Sequence, residues 1–198
     1  AVTSPDISIA IDRFQYPDTD AVALHDIDLR VPAGQTLGVV GHTGSGKSTL
    51  LHLLMRHYDG PETQIAISGV KLQDYQLSAL RDAMAIVPQD AFLFTATIAE
   101  NIARAGEVVS EKVIAAADAA GLHQMILRFP KGYDTPMGEA GGLLSGGQRQ
   151  RIGLARAMYG EPELIVLDEP NANLDDEGEA ALVRAVQAMK AKGKTVVL

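Results

Sequence analysis

The chain has 198 residues, of which 46% are hydrophobic, and a formal net charge of −8 at pH 7. The composition is ordinary for a domain with a hydrophobic core, and the acidic charge argues against a nucleic-acid binder that relies on a basic surface. The absence of cysteine excludes disulfides and thiolate metal sites and fits a reducing cytosol. No apolar run approaches the roughly 18 residues that span a bilayer, and the N-terminus lacks signal-peptide features, so we expect a soluble chain that can still have a membrane partner.

The predicted elements, taken in chain order, alternate between strands and helices. Apolar alternation or short apolar runs predict strands at 6–11, 26–31, 36–40, 84–90, 164–170 and 195–198. Helical patterns lie at 47–58, 97–129, 147–159 and 176–192, and 131–142 has the Gly, Pro and Asp content of a loop. This alternation predicts an α/β core, with the helical stretch 97–160 inserted into it as a subdomain.

A glycine-rich stretch, GHTGSGKST at 41–49, contains the complete P-loop motif G-x-x-x-x-G-K-[ST] between a predicted strand and a predicted helix. Its glycines allow backbone amides to turn onto phosphate oxygens, and the helix N-terminus adds positive potential. We expect Lys47 to reach the β- and γ-phosphates and the Ser48 hydroxyl to ligate Mg²⁺. The alternative is a glycine-rich turn without a ligand. The predicted nucleotide-binding residues are Gly41, His42, Thr43, Gly44, Ser45, Gly46, Lys47, Ser48 and Thr49.

Three further polar residues follow predicted strands. Asp168 ends the apolar run LIVLDEP and should lie at the carboxyl edge of a parallel sheet, where it can hold Mg²⁺ directly or through water; the alternative is a turn or capping aspartate. Glu169 can polarise the attacking water as a general base, or it is a solvated surface acid. Gln89 can complete the Mg²⁺ shell or sense the γ-phosphate, or it is an ordinary loop glutamine. The predicted metal ligands are Ser48, Gln89 and Asp168.

A second glycine-rich stretch, LLSGGQRQR at 143–151, lies nearly a hundred residues downstream of the first. A serine hydroxyl and two glycine amides at a helix N-terminus form an anion site. The alternative is that Ser145 is an N-cap, and both roles are compatible because capping leaves the glycine amides free.

Nearly the whole chain resembles the ATP-binding-cassette (ABC) family, because five features occur in the order and spacing of that family. These features are GHTGSGKST, Gln89, LSGGQRQR, LIVLDEP and Asp175 in NANLDD. The resemblance implies one ABC ATPase domain over 1–198: a P-loop NTPase, RecA-like core with an N-terminal antiparallel β subdomain and an inserted α-helical subdomain. It implies ATP and Mg²⁺ as cofactors. It also implies that two copies pack head to tail, so that the ATP held by the P-loop of one copy is bound in trans by the partner. The residues that bind in trans are those of the signature sequence LSGGQ (144–148), namely Ser145, Gly146, Gly147 and Gln148, together with Asp175.

The implied domain divides into a β subdomain and P-loop core (1–96), a helical subdomain with the signature sequence (97–160), and a core strand, D-loop and helix (161–198). The family also has a γ-phosphate-sensing histidine shortly after a strand like TVVL, and a last strand and helix. Because the chain ends at Leu198, we expect a C-terminally truncated domain that binds ATP but turns it over poorly.

Two features resemble exporter cassettes in particular. Tyr16 in FQYPDTD matches an aromatic that stacks on adenine, a contact that tolerates sequence differences; the alternative is a core tyrosine. YDTPMGEAGG at 133–142 resembles the exporter loop that contacts the cytoplasmic helices of the membrane domain, with Glu139 as its acid. Importer cassettes and soluble cassette proteins usually lack this loop.

Two stretches look most like bacterial type I secretion exporters of the protease and lipase kind: ENIARAGEV at 100–108 and NANLD at 171–175. The stretch GHTGSGKST is less typical of that branch. The resemblance then implies a homodimeric ATPase on the cytoplasmic face of the bacterial inner membrane. Its expected partners are a transmembrane domain contacted through the Gln89 region and the Glu139 loop, and a periplasmic adaptor with an outer-membrane channel. The alternatives are an exporter of small molecules, lipid or peptide, a soluble ABC ATPase acting on nucleic acid or ribosomes, and a module that binds ATP without hydrolysing it.

Overall fold

The computed structural model describes residues 5–42, 44–88, 92–104, 106–140, 142–172 and 174–198, without the side chains of Glu139 and Ala140. Within these ranges the strands are β1 (Ile7–Phe14), β2 (Leu24–Val31), β3 (Thr36–Leu37), β4 (Thr63–Ile67), β5 (Val70–Lys71), β6 (Met84–Val87), β7 (Leu164–Leu167) and β8 (Thr195–Val197). The α-helices are α1 (Lys47–Leu54), α2 (Leu77–Ala83), α3 (Ile98–Ile102), α4 (Ser110–Ala119), α5 (His123–Ile126), α6 (Met137–Ala140), α7 (Gly146–Tyr159) and α8 (Asp176–Ala191).

Four strands from the first 71 residues form an antiparallel sheet in the order β2-β1-β4-β5. The central strand β1 alternates buried and exposed residues, and Ile9 pairs with Leu29 on one side and Ile65 on the other. The sequence predicted the first two strands but left β4 and β5 unassigned. These two form a tight hairpin through Ser68 and Gly69, which both have positive φ (52° and 75°), as a two-residue turn that matches the strand twist requires.

The second sheet is parallel, in the order β3-β8-β7-β6. Its strands are short and apolar, as expected for strands covered on both faces. The ladder between β3 and β8 covers only Thr36 and Leu37 of the strand predicted at 36–40. One further backbone hydrogen bond follows it, from the Val39 amide to the Leu198 carbonyl. The strand prediction is wrong at Val40, which is 96% exposed where the chain runs towards the glycine-rich loop.

The parallel sheet lies between two hydrophobic cores. Ala85, Ile165 and Val196 face a core shared with α3, α4, α7 and α8, whereas Leu164 and Val166 face a core shared with the antiparallel sheet and α1. Because successive side chains of a strand point to opposite faces, one short apolar run supplies both cores. The sheet is therefore the fixed element on which loops at its carboxyl edge are placed.

The helical stretch predicted at 97–129 consists of three helices, α3, α4 and α5. Gly121, at φ +72°, separates the last two, because a residue in the left-handed region ends a helix. The predicted loop 131–142 contains a 3₁₀ turn at 132–134 and the short helix α6. None of the helices in the described ranges is long and apolar enough to cross a membrane.

Candidate functional site

A cleft of about 350 Å³ opens at the carboxyl edge of the parallel sheet. The glycine-rich loop forms one wall, and the residues that follow β7 form the other. The lining residues include Gly38, Val39, Val40, Gly41, Lys47, Leu51, Leu167, Asp168, Glu169, Pro170, Asn171, Ala172 and Leu198. The fold thus brings the predicted phosphate-binding loop and the predicted acidic pair into one site, as expected for ligand sites of parallel sheets.

The backbone of the glycine-rich loop is tightly wound at its glycines, most of all at Gly46, where a Cβ atom would lie 2.9 Å from the Ala23 carbonyl oxygen. Gly44 and Gly46 have φ of 83° and 96°, in the left-handed region. A Cβ atom on Gly46 would lie 2.7 Å from Leu24 Cδ2, and one on Gly41 would lie 2.5 Å from Ser45 Oγ. A loop wound this tightly at the start of α1 presents amides to an anion, so it fits the phosphates of ATP. Thr43 lies outside the described residues, and His42 is exposed.

Lys47 is held inside this loop. Its ammonium donates a hydrogen bond to the carbonyl oxygen of Gly41, and Nζ lies 3.8 Å from Glu169 Oε1. Only 22% of the Lys47 side chain is exposed. The cation therefore lies between the loop and the acidic pair, where it would face phosphate oxygens.

Asp168 and Glu169 have different environments. The Asp168 amide donates to the carbonyl of Val87 (2.9 Å), which fixes this residue at the sheet edge. Burial, and then the charge of Glu169, raises the pKa of Asp168, while His52 and Lys47 act in the opposite direction. The Glu169 side chain is 43% exposed, which keeps its carboxylate accessible to water.

Glu169 has φ of 42°, a left-handed conformation that costs a non-glycine residue free energy and often marks a functional position. The side-chain amide of Gln150 on α7 donates to the Glu169 carbonyl (3.2 Å) and supports this turn. Sequence reasoning missed Gln150, although it lies inside the LSGGQRQR stretch. Its Oε1 is buried and has no hydrogen-bond partner among the residues that the structure describes.

The residues present fit a Mg²⁺ ion that is shared with phosphates. No group of three or more His, Cys, Asp or Glu in the described ranges could hold a metal by itself. Ser48, the exposed hydroxyl at the start of α1, and Asp168 supply oxygen ligands, the type that Mg²⁺ prefers together with substrate phosphates. Gln89, the third predicted ligand, lies outside the described residues.

Tyr16 lies beside the start of α1 in an aromatic cluster. Its ring packs edge-to-face on Phe14 (5.3 Å) and Tyr58 (5.0 Å). Its hydroxyl shares a 2.8 Å hydrogen bond with Thr49 Oγ1 and lies 3.3 Å from His52 Nδ1. The ring is thus half-buried and anchored through its hydroxyl. Contact with adenine stays a prediction, and Thr49 contacts Tyr16 from its buried position.

The signature stretch forms the N-terminus of α7. Ser145 Oγ accepts from the Gln148 amide (3.1 Å), and Gln148 Oε1 accepts from the Ser145 amide (3.0 Å). Ser145 is therefore an N-cap, and Gly146 and Gly147 are the first helical residues, whose amides have no partner within the helix. Among the described residues that line the P-loop cleft, none belongs to 145–148. Asp175 caps α8 by accepting from the Gly178 amide (2.8 Å).

The chain at 96–98, which follows the Gln89 region, lies beside the chain at 135–137, which precedes Glu139; Gln89 itself lies outside the described residues. The Ile98 amide donates to the Thr135 carbonyl (3.1 Å), and the Met137 amide donates to the Ala96 carbonyl (2.8 Å). The chain after the Gln89 region is thereby joined to the start of α6, which contains Glu139.

Comparison with known proteins identifies the family of this chain. A family model described as ABC transporter matches residues 24–172. The chain is 43% identical over 183 residues to the type I secretion system ATP-binding protein PrsD of Rhizobium meliloti, covering 92% of the chain and 31% of PrsD. It is 44% identical over 187 residues to the ATP-dependent lipid A-core flippase of Haemophilus influenzae, covering 93% of the chain and 32% of the flippase.

Among solved structures, a bacterial Atm1-family ABC exporter with ATP bound superposes with a TM-score of 0.91 at 36% identity, covering 100% of this chain and 35% of that one. The chain spans about a third of the length of these relatives. These matches agree with a fold that has a P-loop cleft, an acidic pair after β7 and a capped signature helix. The chain therefore belongs to the ABC transporter family and has its ATPase fold.

Proposed function

We propose that this chain is the ATP-binding and ATP-hydrolysing domain, a hydrolase, of a bacterial ABC exporter and that it works as a head-to-tail dimer. The observation that carries this proposal is the separation of two anion-binding elements. The P-loop and the acidic pair share one cleft, whereas residues 145–148 are not among its described lining and present the first amides of α7. Two copies that pack head to tail would bring each signature to the other's cleft.

The chemistry proposed for the cleft uses four side chains. Lys47 and the loop amides hold the phosphates, and Ser48 and Asp168 hold Mg²⁺, which when bound neutralises phosphate charge. Glu169 accepts a proton from the water whose oxygen bonds to the γ-phosphorus, while the bond from that phosphorus to the ADP oxygen breaks. The 3.8 Å approach of Glu169 to Lys47 means that bound phosphates would compete with Glu169 for this cation.

We propose a transmembrane domain as the second partner, contacted through the Gln89 region and the Glu139 loop on the cytoplasmic face of the bacterial inner membrane. The joined segments around Ala96 and Thr135 support one continuous docking area. Exposed apolar side chains lie on the chain next to both segments: Phe92 is 72% exposed and Leu143 is 73% exposed. We also propose that the domain divides into a β subdomain and P-loop core (1–96), a helical subdomain (97–160), and a core strand, D-loop and helix (161–198).

For the cargo we propose a secreted polypeptide, with a periplasmic adaptor and an outer-membrane channel as further partners. The similarity to PrsD and the NANLD stretch support this choice. Lipid export is the second candidate, because the lipid A-core flippase of Haemophilus influenzae is equally similar.

The test is a chromosomal Lys47→Ala substitution in the source bacterium, compared with Lys71→Ala on the exposed strand β5 as a control. We expect Lys47→Ala to remove specific polypeptides from the culture medium while the lipid content of the outer membrane is unchanged. Unchanged secreted proteins with a loss of outer-membrane lipid A would support the lipid exporter instead.

A further inference from the structure

The loop at 92–96, which precedes α3, contains two exposed aromatic rings. Phe92 and Phe94 pack edge-to-face at 5.5 Å, and they are 72% and 38% exposed. Despite this exposure the loop backbone is tied to a buried side chain. Asn101 is 0% exposed; its Oδ1 accepts from the Phe94 amide (2.7 Å), and its Nδ2 donates to the carbonyls of Phe94 (3.1 Å) and Thr97 (3.0 Å).

Arg156, near the end of α7, joins this loop to the signature helix. Its Nη1 donates to the Phe92 carbonyl (2.7 Å), its Nε to the Asn101 carbonyl (2.9 Å) and its Nη2 to Asn101 Oδ1 (3.1 Å). The guanidinium also lies over the Phe94 ring, 5.0 Å from the centroid, at a distance typical of cation–π contact. Every donor nitrogen of this one side chain therefore holds the loop or the asparagine that supports it.

The geometry of α7 gives this contact a consequence. Ser145 and Arg156 lie at opposite ends of one helix, about 16 Å apart at the helical rise of 1.5 Å per residue. An α-helix transmits displacement along its axis because its backbone hydrogen bonds resist bending. Any force on the exposed aromatic loop that shifts Arg156 therefore also shifts the signature serine and its two glycines.

We propose that Arg156 is a positioning residue that fixes the 92–96 loop to α7, so that the loop and the signature sequence move as one body. The effect on ATP turnover rests on the proposed function, in which the signature completes the site of a partner copy. The tie itself does not depend on that function. Arginine is required because only its planar fork can serve Phe92 and Asn101 together, and lysine offers a single ammonium.

The experiment uses the full-length protein and three variants. Arg156→Lys keeps the charge but loses the fork, and Phe94→Leu removes the ring beneath the guanidinium while leaving the backbone bonds. Arg151→Lys is the matched control: it is the same substitution on the same helix, at a buried arginine that donates to the Gly121 carbonyl (3.1 Å) instead of the loop.

Hydrogen exchange without nucleotide measures the tie directly. We expect the Phe94 amide, which donates to Asn101 Oδ1, to exchange at least about tenfold faster in Arg156→Lys. The reason is that this variant loses the charged hydrogen bonds by which Arg156 holds Asn101 and the loop. We expect a smaller acceleration in Phe94→Leu and wild-type exchange at 92–96 in Arg151→Lys. Wild-type exchange at 92–96 in Arg156→Lys, or equal acceleration in the Arg151→Lys control, would overturn the proposal.

ATPase kinetics then measure the consequence for the signature. We expect Arg156→Lys to lower kcat several-fold with a smaller change in KM for ATP, because the P-loop and Tyr16 are not altered and only the signature is displaced. An unchanged kcat, or a rise in KM larger than the fall in kcat, would contradict the positioning role even if the loop loosens. If the wild-type protein does not hydrolyse ATP, the proposed function fails, whereas the hydrogen-exchange result still decides whether Arg156 holds the loop.

Discussion

Two helices of this protein begin with the same capping box, which allows the two roles of Ser145 to be separated. Ser145 and Gln148 cap α7, and Thr97 and Glu100 cap α3 with equivalent distances of 3.1 and 3.2 Å. Replacing either cap residue with alanine should cost about 1 kcal/mol, which lowers the melting temperature by about 2–4 °C for a domain of this size. Aspartate is as good a cap as serine, so Ser145→Asp and Thr97→Asp should both retain wild-type stability.

The two aspartate variants should differ in ATP binding between copies. In the proposed dimer the Ser145 hydroxyl and the free amides of Gly146 and Gly147 face phosphate oxygens of the partner's ATP. A carboxylate at that position repels the nucleotide, whereas Thr97→Asp lies on a helix that is not proposed to contact ATP. We therefore expect Ser145→Asp to abolish ATP-dependent dimerisation and Thr97→Asp to retain it.

The assay is calorimetric melting together with the amount of ATP trapped by the full-length protein carrying Glu169→Gln, which blocks hydrolysis. Ser145→Asp that melts like the wild type but traps no ATP supports both roles. If Ser145→Asp traps as much ATP as Thr97→Asp, Ser145 is a helix cap alone, and the trans role is wrong.

Three further substitutions test the geometry of the site and the fold. Tyr16→Ala should weaken ATP binding by about 1–3 kcal/mol through the lost stacking contact. Tyr16→Phe should leave ATP binding unchanged and lower only the unfolding free energy, by about 0.5–1.5 kcal/mol, because it removes the hydrogen bond to Thr49. If calorimetry finds that Tyr16→Phe weakens ATP binding as much as Tyr16→Ala, the stacking assignment is wrong. Gly121→Ala should destabilise the fold by about 1–3 kcal/mol, because φ is +72° and the new Cβ would lie 2.8 Å from Ala181 Cβ; an unchanged midpoint in urea would contradict this. Asp168→Asn should raise the melting temperature of the nucleotide-free protein at pH 7 and abolish Mg²⁺-dependent ATP binding. The reason for the higher melting temperature is that the pKa of Asp168 is raised, so its charged form destabilises the fold as the pH rises through that pKa. A lower melting temperature would show that the carboxylate is structural.

Local sequence patterns predicted the parts of the site that depend on neighbouring residues. The P-loop is set by three glycines and a lysine within nine positions, and Asp168 follows its apolar strand directly. These positions need only the chain direction and the strand end to be placed correctly. The N-cap at Ser145 was predictable for the same reason, since both partners of its capping box lie within four residues.

Contacts between distant residues could not be predicted in this way. Arg156 and Asn101 are 55 positions apart, and neither forms part of a pattern that indicates a partner. The β4–β5 hairpin was missed because β5 has only two residues and both are exposed, so it carries no alternation. The strand at 36–40 was predicted too long because apolar residues at the cleft wall resemble strand residues in composition.

Counting trapped nucleotide in a mixed dimer of the full-length protein tests the central claim most directly. Both halves carry Glu169→Gln, one half also carries Lys47→Ala, and the other also carries Ser145→Arg. If the signature acts in trans, both lesions fall in the same site, and the dimer should trap one ATP at the intact site. A dimer with both lesions in one half should then trap less, because each lesion damages a different site; this second dimer controls for closure that needs both sites filled. Near-zero ATP in the first dimer together with more ATP in the second would contradict the account and place the signature in the site of its own chain.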